Sequence, residues 1–373
     1  MSRITCEDFG VLQDGRAVQL YKLRNTKGTA VRICTFGARV QSLCIMDRQG
    51  EFRDVVLGYD HIAGYEADDA CLGAIIGRCA GRIERGQVRI QEKSYQLDCN
   101  EGENHLHGGA AGLHNKLWQA DITPQGLRLQ CLSPAGESGY PGNLRVMVTY
   151  ALSNDNELSI LYEAVSDEDT ICNLTNHMYF NLGGSSEASS VLDEEIQIFA
   201  DSYMAADAAL LADGRILSVE DTPLDLRQSQ RIGEHIDDDF GELRQAGGYD
   251  HTFLVRDAAC EVEVSPGDFG YDPSCPIDYL ASGLKNMAFA RNPRSGLTLR
   301  AYTNCPCVQF YTGNHLGQQP LGKGGKAIGH RSGFCLEAQG YPNAFAHPKF
   351  VPPVLKKGEI WRAQSVYVFG VGD

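Results

Sequence analysis

Short extended runs recur from one end of this chain to the other, and they constrain its fold more than any other feature. Residues 30–36, 39–45, 127–132, 144–152, 157–165, 194–199, 261–265, 297–302, 307–312, 334–338 and 365–370 alternate apolar with polar side chains or carry β-branched ones, the pattern of strands. No window of about 15 residues places apolar side chains at helical spacing. Turn chemistry separates the runs, as in Asp14-Gly15, Gly136-Glu-Ser-Gly139, Tyr140-Pro-Gly142, Ala212-Asp-Gly214 and Asn292-Pro293. With 41 glycines available for tight turns, the pattern predicts an all-β fold, a large antiparallel β-sandwich. No Ser/Pro-rich linker interrupts the chain and the glycine-rich stretch from Gly317 to Gly333 is loop-sized, so residues 1–373 are expected to form a single domain.

Charge narrows the partners. Against 48 acidic residues stand 33 basic ones, a net charge of −15, which repels nucleic acid and anionic membranes and leaves a neutral small molecule as the better ligand. The start, Met1-Ser-Arg-Ile-Thr-Cys-Glu-Asp, lacks the basic and apolar regions of a secretory signal. No stretch reaches the ~18 apolar residues of a membrane span. A cytoplasmic location is therefore expected. The 13 cysteines are odd in number and follow no repeating framework, which suits free thiols in a reducing compartment. Without a secretory route the sequon Asn173-Leu-Thr175 is a chance match. Gly317 to Gly324 imitates a phosphate loop up to Lys323, but Gly324 stands where magnesium would need Ser or Thr, and no helical pattern follows.

Five segments gather polar residues among glycines and aromatics. In residues 173–182 strand alternation puts Asn173, Thr175, His177, Tyr179 and Asn181 on one face and Leu174, Met178, Phe180 and Leu182 on the other. A histidine within such a row, anchored by large apolar side chains, is a rigid proton donor or acceptor. Gly77-Arg-Cys-Ala-Gly-Arg82 offers Arg82, suited to forked hydrogen bonds or to a plain ion pair. Asn104-His105-Leu-His107-Gly-Gly would place both histidines on one strand face, yet no third metal ligand of matching type accompanies them, so no metal is expected. In Gly248-Tyr-Asp250-His251 the aspartate is a ligand or a turn cap. Glu337 stands in the apolar run Phe334-Cys-Leu-Glu-Ala, where it either faces a cavity with a raised pKa or pairs with an arginine. Cys305-Pro-Cys307 reads as strand packing.

In this order the segments resemble the aldose 1-epimerase (galactose mutarotase) family over roughly residues 30 to 370. The pieces carrying the resemblance are Gly77-Arg-Cys-Ala-Gly-Arg82-Ile, Asn104-His-Leu-His107-Gly-Gly, Ser138-Gly-Tyr-Pro-Gly142, Thr175-Asn-His177-Met-Tyr-Phe-Asn-Leu182, Gln197-Ile-Phe-Ala-Asp201, Gly248-Tyr-Asp250-His, Gln309-Phe-Tyr-Thr-Gly-Asn314 and Glu337-Ala-Gln-Gly-Tyr-Pro-Asn343. The resemblance implies a β-supersandwich, galactose mutarotase-like, and an isomerase that interconverts α and β anomers of free hexoses such as galactose and glucose without a cofactor. It implies that Glu337 takes the anomeric proton while His177, protonated, gives one to the ring oxygen. It further implies that Arg82, His107, Asp250 and Gln309 hold sugar hydroxyls.

Three departures bear on sugar preference rather than reaction type. Gly81 stands where many relatives carry asparagine, Glu194 where histidine is frequent, and Leu224-Asp-Leu-Arg227 loosens the usual Phe-Asp-Phe-Arg. Rival readings are a glycoside hydrolase recruiting Asp250 and Glu337, a non-catalytic sugar-binding or regulatory protein, and a hexose-phosphate epimerase. The last needs a cationic pocket, for which Arg82 is the sole candidate embedded in a motif.

Overall fold

The computed structural model describes residues 2–185, 190–256 and 283–372. Three antiparallel sheets make up most of it. The largest has nine strands in the order Gln119–Thr123, Gly126–Ser133, Leu144–Leu152, Glu157–Ser166, Ile360–Val371, Leu297–Thr303, Lys285–Arg291, Glu195–Ile198 and Gln230–Arg231. A five-stranded sheet at the start of the chain runs in sequence order through Arg3–Val11, Ala17–Arg24, Ala30–Cys34, Arg39–Met46 and Phe52–Asp54. The third, called the pocket sheet below, is ordered Ala212–Ser218, Ala200–Ala206, Asp250–Val255, Cys307–Tyr311 and Cys335–Gln339.

One apolar core draws on all three sheets. Val31, Ile33 and Leu43 come from the first, Leu129, Val146, Val148 and Ile160 from the nine-stranded sheet, and Phe253, Val308, Phe310 and Leu336 from the pocket sheet. Each lies on an alternating strand, so its sheet turns one apolar face inward. Buried tyrosine hydroxyls bridge the layers: Tyr150 donates to the Ala38 carbonyl (2.7 Å) and Tyr367 to that of Leu336 (3.1 Å). The large antiparallel sandwich expected from the sequence is what forms, and the described helices, Ile62–Glu66 and Gly241–Ala246, are short.

The strand runs hold with shifts at their ends, except that residues 261–265 lie outside the described residues. Two expectations need correction. Ala212-Asp-Gly214 is not a turn but the start of the edge strand Ala212–Ser218. Gly214 (φ +89°) is there because the His347 ring packs onto it, and a Cβ would sit 2.7 Å from Nδ1. Residues 173–182 do not form a continuous ladder strand. The segment is extended, but it pairs only briefly, Thr175–Asn176 with Ile75–Ile76, and otherwise touches its neighbours through single bridges such as those from Phe180 to Val56 and Phe334. Scattered backbone hydrogen bonds, such as His177 N to the Ala74 carbonyl, are joined by side-chain ones: Asn173 Oδ1 accepts from Gly340 N (2.7 Å), Asn176 donates to the Gly73 carbonyl (2.9 Å) and Asn181 to that of Ser332 (2.9 Å). The alternation holds all the same, with Leu174, Met178, Phe180 and Leu182 in the core.

Candidate active site

The pocket sheet carries the site on the face opposite its apolar one. Three neighbouring strands are in register so that Thr252 opposes Gln309, which opposes Glu337, while Asp250 opposes Tyr311, which opposes Cys335. Alternation sends these six side chains out of one face and His251, Phe253, Val308, Phe310, Leu336 and Ala338 out of the other. A cavity of about 260 Å³ lies over the polar row. The extended segment supplies His177 and Tyr179 to its wall, and the short antiparallel pair of Arg82–Ile83 with His105–Leu106 brings in Arg82 and, one residue on, His107.

All six residues singled out by the sequence, His177, Glu337, Arg82, His107, Asp250 and Gln309, line this one cavity. His177 Nε2 is 3.5 Å from Glu337 Oε1, and the two residues are 5% and 3% exposed. The imidazole stacks on Tyr179 (centroids 4.9 Å apart, 22° between planes) and meets His107 and Tyr311 edge-on. Burial pushes Glu337 well above the usual carboxyl range; Asp250 adds to the push and Arg82 opposes it. Burial also lowers His177 to about 4. Burial thus favours a neutral imidazole in the empty cavity, because the charged form loses its hydration.

The polar lining groups are tied to one another. Gln309 Nε2 donates to Asp250 Oδ1 (2.6 Å), and Gln309 Oε1 accepts from the Thr252 hydroxyl. The Asp250 carboxyl is raised, by burial first, with Arg82 pulling the other way. Arg82 is both a cavity group and half of an ion pair: Nε and Nη2 fork onto Glu101 at 2.6 and 2.7 Å. His107 Nδ1 accepts from Gly81 N (3.3 Å), which leaves the proton on Nε2. Burial holds this imidazole well below its ordinary pKa, and His177 adds to the effect.

His105 does not share a face with His107, whose φ of 52° turns the chain. Its Nδ1 meets the Asp98 carbonyl at 2.7 Å and its Nε2 the Tyr140 hydroxyl at 2.6 Å. The Ser138-Gly-Tyr-Pro segment therefore supports the strand pair that leads to His107. Buried Arg78 anchors the same loop through Ser133, Pro134 and Pro141. His251 points to the core, between Tyr203 and Tyr249. Glu194 lies away from the cavity, whereas Gly81 (φ +75°) lines it, with room for a Cβ 3.5 Å from Pro342.

The sequence reading passed over Glu101, Thr252, Tyr311, His315 and Cys335, all at or beside the cavity. Three of them stand two residues from a chosen one, Thr252 from Asp250, Tyr311 from Gln309 and Cys335 from Glu337, so strand alternation could have found them. Nothing local marks Glu101, because its partner Arg82 comes from another strand. His177, Cys335 and Glu337 also bring ligand-type atoms within 4.8 Å of one another, the one such trio among the described residues. Zinc could use that donor set, but the thiol would first have to lose a proton that burial holds tightly.

Comparison with solved structures places this architecture. A galactose 1-epimerase from Lactobacillus acidophilus NCFM matches over 100% of both chains with a TM-score of 0.80 and 27% identity. A Caenorhabditis elegans aldose epimerase homologue matches over 100% of both at 0.80 and 24%, a likeness of fold. The fold is galactose mutarotase-like, and with the chain's relatives it defines an isomerase. The aldose 1-epimerase family pattern covers residues 19–368. The chain is 36% identical to galactose mutarotase of Rattus norvegicus over 100% of each, and 33% identical to aldose 1-epimerase of Escherichia coli K12 over 95% of this chain and 96% of that one. It belongs to the aldose 1-epimerase family.

Proposed function

We propose that this chain interconverts the α and β anomers of free hexoses, galactose and glucose among them, with Glu337 and His177 as the proton-transfer pair. The single observation that carries this reading is the 3.5 Å approach of His177 Nε2 to Glu337 Oε1 at the buried end of the cavity. The two sugar oxygens that exchange protons are bonded to the same carbon. The base for one and the acid for the other must therefore be neighbours, each within hydrogen-bond reach of its oxygen.

Glu337 takes the proton of the anomeric hydroxyl while His177 gives one to the ring oxygen. The bond between the anomeric carbon and the ring oxygen breaks and the open aldehyde forms. Rotation about the adjacent carbon bond presents the other carbonyl face, and closure reverses both transfers. The pair needs one proton between its members. In the empty cavity burial keeps that proton on the carboxyl, and a sugar hydroxyl donating to Glu337 favours its transfer to the imidazole. Arg82, His107, Asp250 and Gln309 hold the remaining hydroxyls. The reading needs neither metal nor coenzyme.

Charge supports free sugars over sugar phosphates. Arg82 is the only Lys or Arg among the described lining residues and is already forked onto Glu101, which leaves no unpaired cation for a phosphate. Polarimetry of freshly dissolved α-galactose or α-glucose, with no metal or coenzyme added, tests the reading. Accelerated mutarotation is expected, with no release of reducing sugar from glycosides. His177→Asn and Glu337→Gln should each lower the rate by about 10²-fold or more. Either variant within a few-fold of wild type would overturn the assignment.

A further inference from the structure

One side of the His177 ring faces Glu337 and the other faces a thiol. Cys335 precedes Glu337 by two residues on the strand Cys335–Gln339, so both side chains leave the same face, and the imidazole spans the gap between them. Cys335 Sγ is 3.4 Å from Nδ1, and the ring's other hydrogen bond is to the residue's own backbone, which favours the charged form against burial. The backbone holds the other end of the residue, with His177 N donating to the Ala74 carbonyl (2.9 Å).

A histidine that moves protons commonly has its second nitrogen held by a carboxylate or backbone carbonyl. Such partners only accept, so they demand a proton on Nδ1 and favour the imidazolium. A thiol accepts too, since Nε2 is the atom that gives up the proton and Nδ1 keeps its own in both states, but uncharged sulfur accepts weakly and favours the imidazolium less. Burial, with Glu337 and Asp250 adding to it, keeps the Cys335 thiol protonated. The other groups against the ring are Tyr179 stacked on it, His107 and Tyr311 edge-on, and Arg39, whose charge opposes protonation. None of these hydrogen-bonds Nδ1.

We propose that Cys335 is the positioning residue of His177, an uncharged partner at Nδ1 that fixes the ring and follows it through both charge states. This rests on the proton-transfer roles assigned above. A neutral acceptor of this kind does not trap the shared proton on His177, as a carboxylate at Nδ1 would.

The test compares Cys335→Ser, Cys335→Ala and Cys335→Val. Valine fills the thiol's space but cannot hydrogen-bond, so it separates positioning from packing. Alanine and valine are expected to lower kcat by about tenfold to a hundredfold, the usual cost of removing an outer partner of a working histidine. KM should barely move, since the hydroxyl-holding residues are untouched, and serine should recover much of kcat. The acid limb of the rate profile should move to lower pH in the valine variant, because its imidazolium lacks an Nδ1 acceptor. A valine variant with wild-type kcat and acid limb would overturn the proposal, and should the alanine variant fail to fold, serine and valine decide. If wild type itself gave no mutarotation, the functional reading would fail instead. The nitrogen-15 resonances of His177 then judge Cys335 separately, since identical spectra in wild type and Cys335→Val would sink it.

Discussion

His177 and Glu337 are each pushed by burial toward the uncharged form, which fixes how their activity depends on pH. In the proposed roles, catalysis needs one proton on the pair: with two there is no base, with none there is no acid. The second proton is the one His177 gains at about 4, and the shared proton leaves through the raised Glu337. The apparent values belong to the pair rather than to either residue. We expect kcat/KM to be bell-shaped, with an acid limb near pH 4 and no acid limb near the ordinary histidine value of about 6.5. A rate measured by polarimetry that halves between pH 7 and 6 would contradict a buried, neutral His177. The sequence pointed to both residues, yet not to the charge the imidazole carries. Charge depends on burial by Tyr179, Tyr311 and His107, which come from separate parts of the chain.

Strand alternation explains why so much of the site could be read and where reading stopped. Gln309 and Glu337 oppose one another because Cys307–Tyr311 and Cys335–Gln339 pair in one register, and a slip of one residue in either strand would turn that strand's polar residue into the core. Alternation along each strand is visible in sequence, whereas register between strands is not, so the six residues were found singly and never as a row. The segment Ser138–Gly142 was visible as a motif without a role. Its role is support, since Tyr140 binds His105 Nε2 and so holds the strand pair that leads to His107. Tyr140→Phe would leave a buried ring nitrogen unpaired, at a cost of about 1–3 kcal/mol. Denaturant unfolding should show that loss, and KM for hexose should rise as His107 loses its footing. A variant with unchanged stability would mean that water replaces the hydroxyl.

All three sheets are joined through the segment that carries His177, and one carboxyl at that junction makes the stability of the whole molecule depend on pH. Arg53 of the first sheet donates to the Gly183 carbonyl (3.1 Å), Ser295, in the turn between two strands of the nine-stranded sheet, to that of Leu182 (2.8 Å), and Asn181 to that of Ser332, just ahead of a pocket-sheet strand. Glu194 closes the junction: Oε1 accepts from Gly183 N (3.0 Å) and Asn292 Nδ2 (3.1 Å), while Oε2 is buried with no hydrogen-bond partner among the described residues. Burial pushes this carboxyl up to about 7 from an ordinary 4.5, against the pull of those hydrogen bonds. The folded state therefore holds the proton more tightly than the unfolded chain does. The stability this contributes is complete below pH 4.5 and is lost as pH rises through 7, a change on the order of 3 kcal/mol. Glu194→Gln keeps an oxygen for both donors and cannot ionise. Its urea midpoint should match wild type near pH 5 and exceed it near pH 8. Parallel pH profiles for the two proteins would show that the junction carries no titrating carboxyl. Because Glu194 lies outside the cavity, the substitution should leave hexose KM unchanged, which separates this prediction from any effect on the reaction.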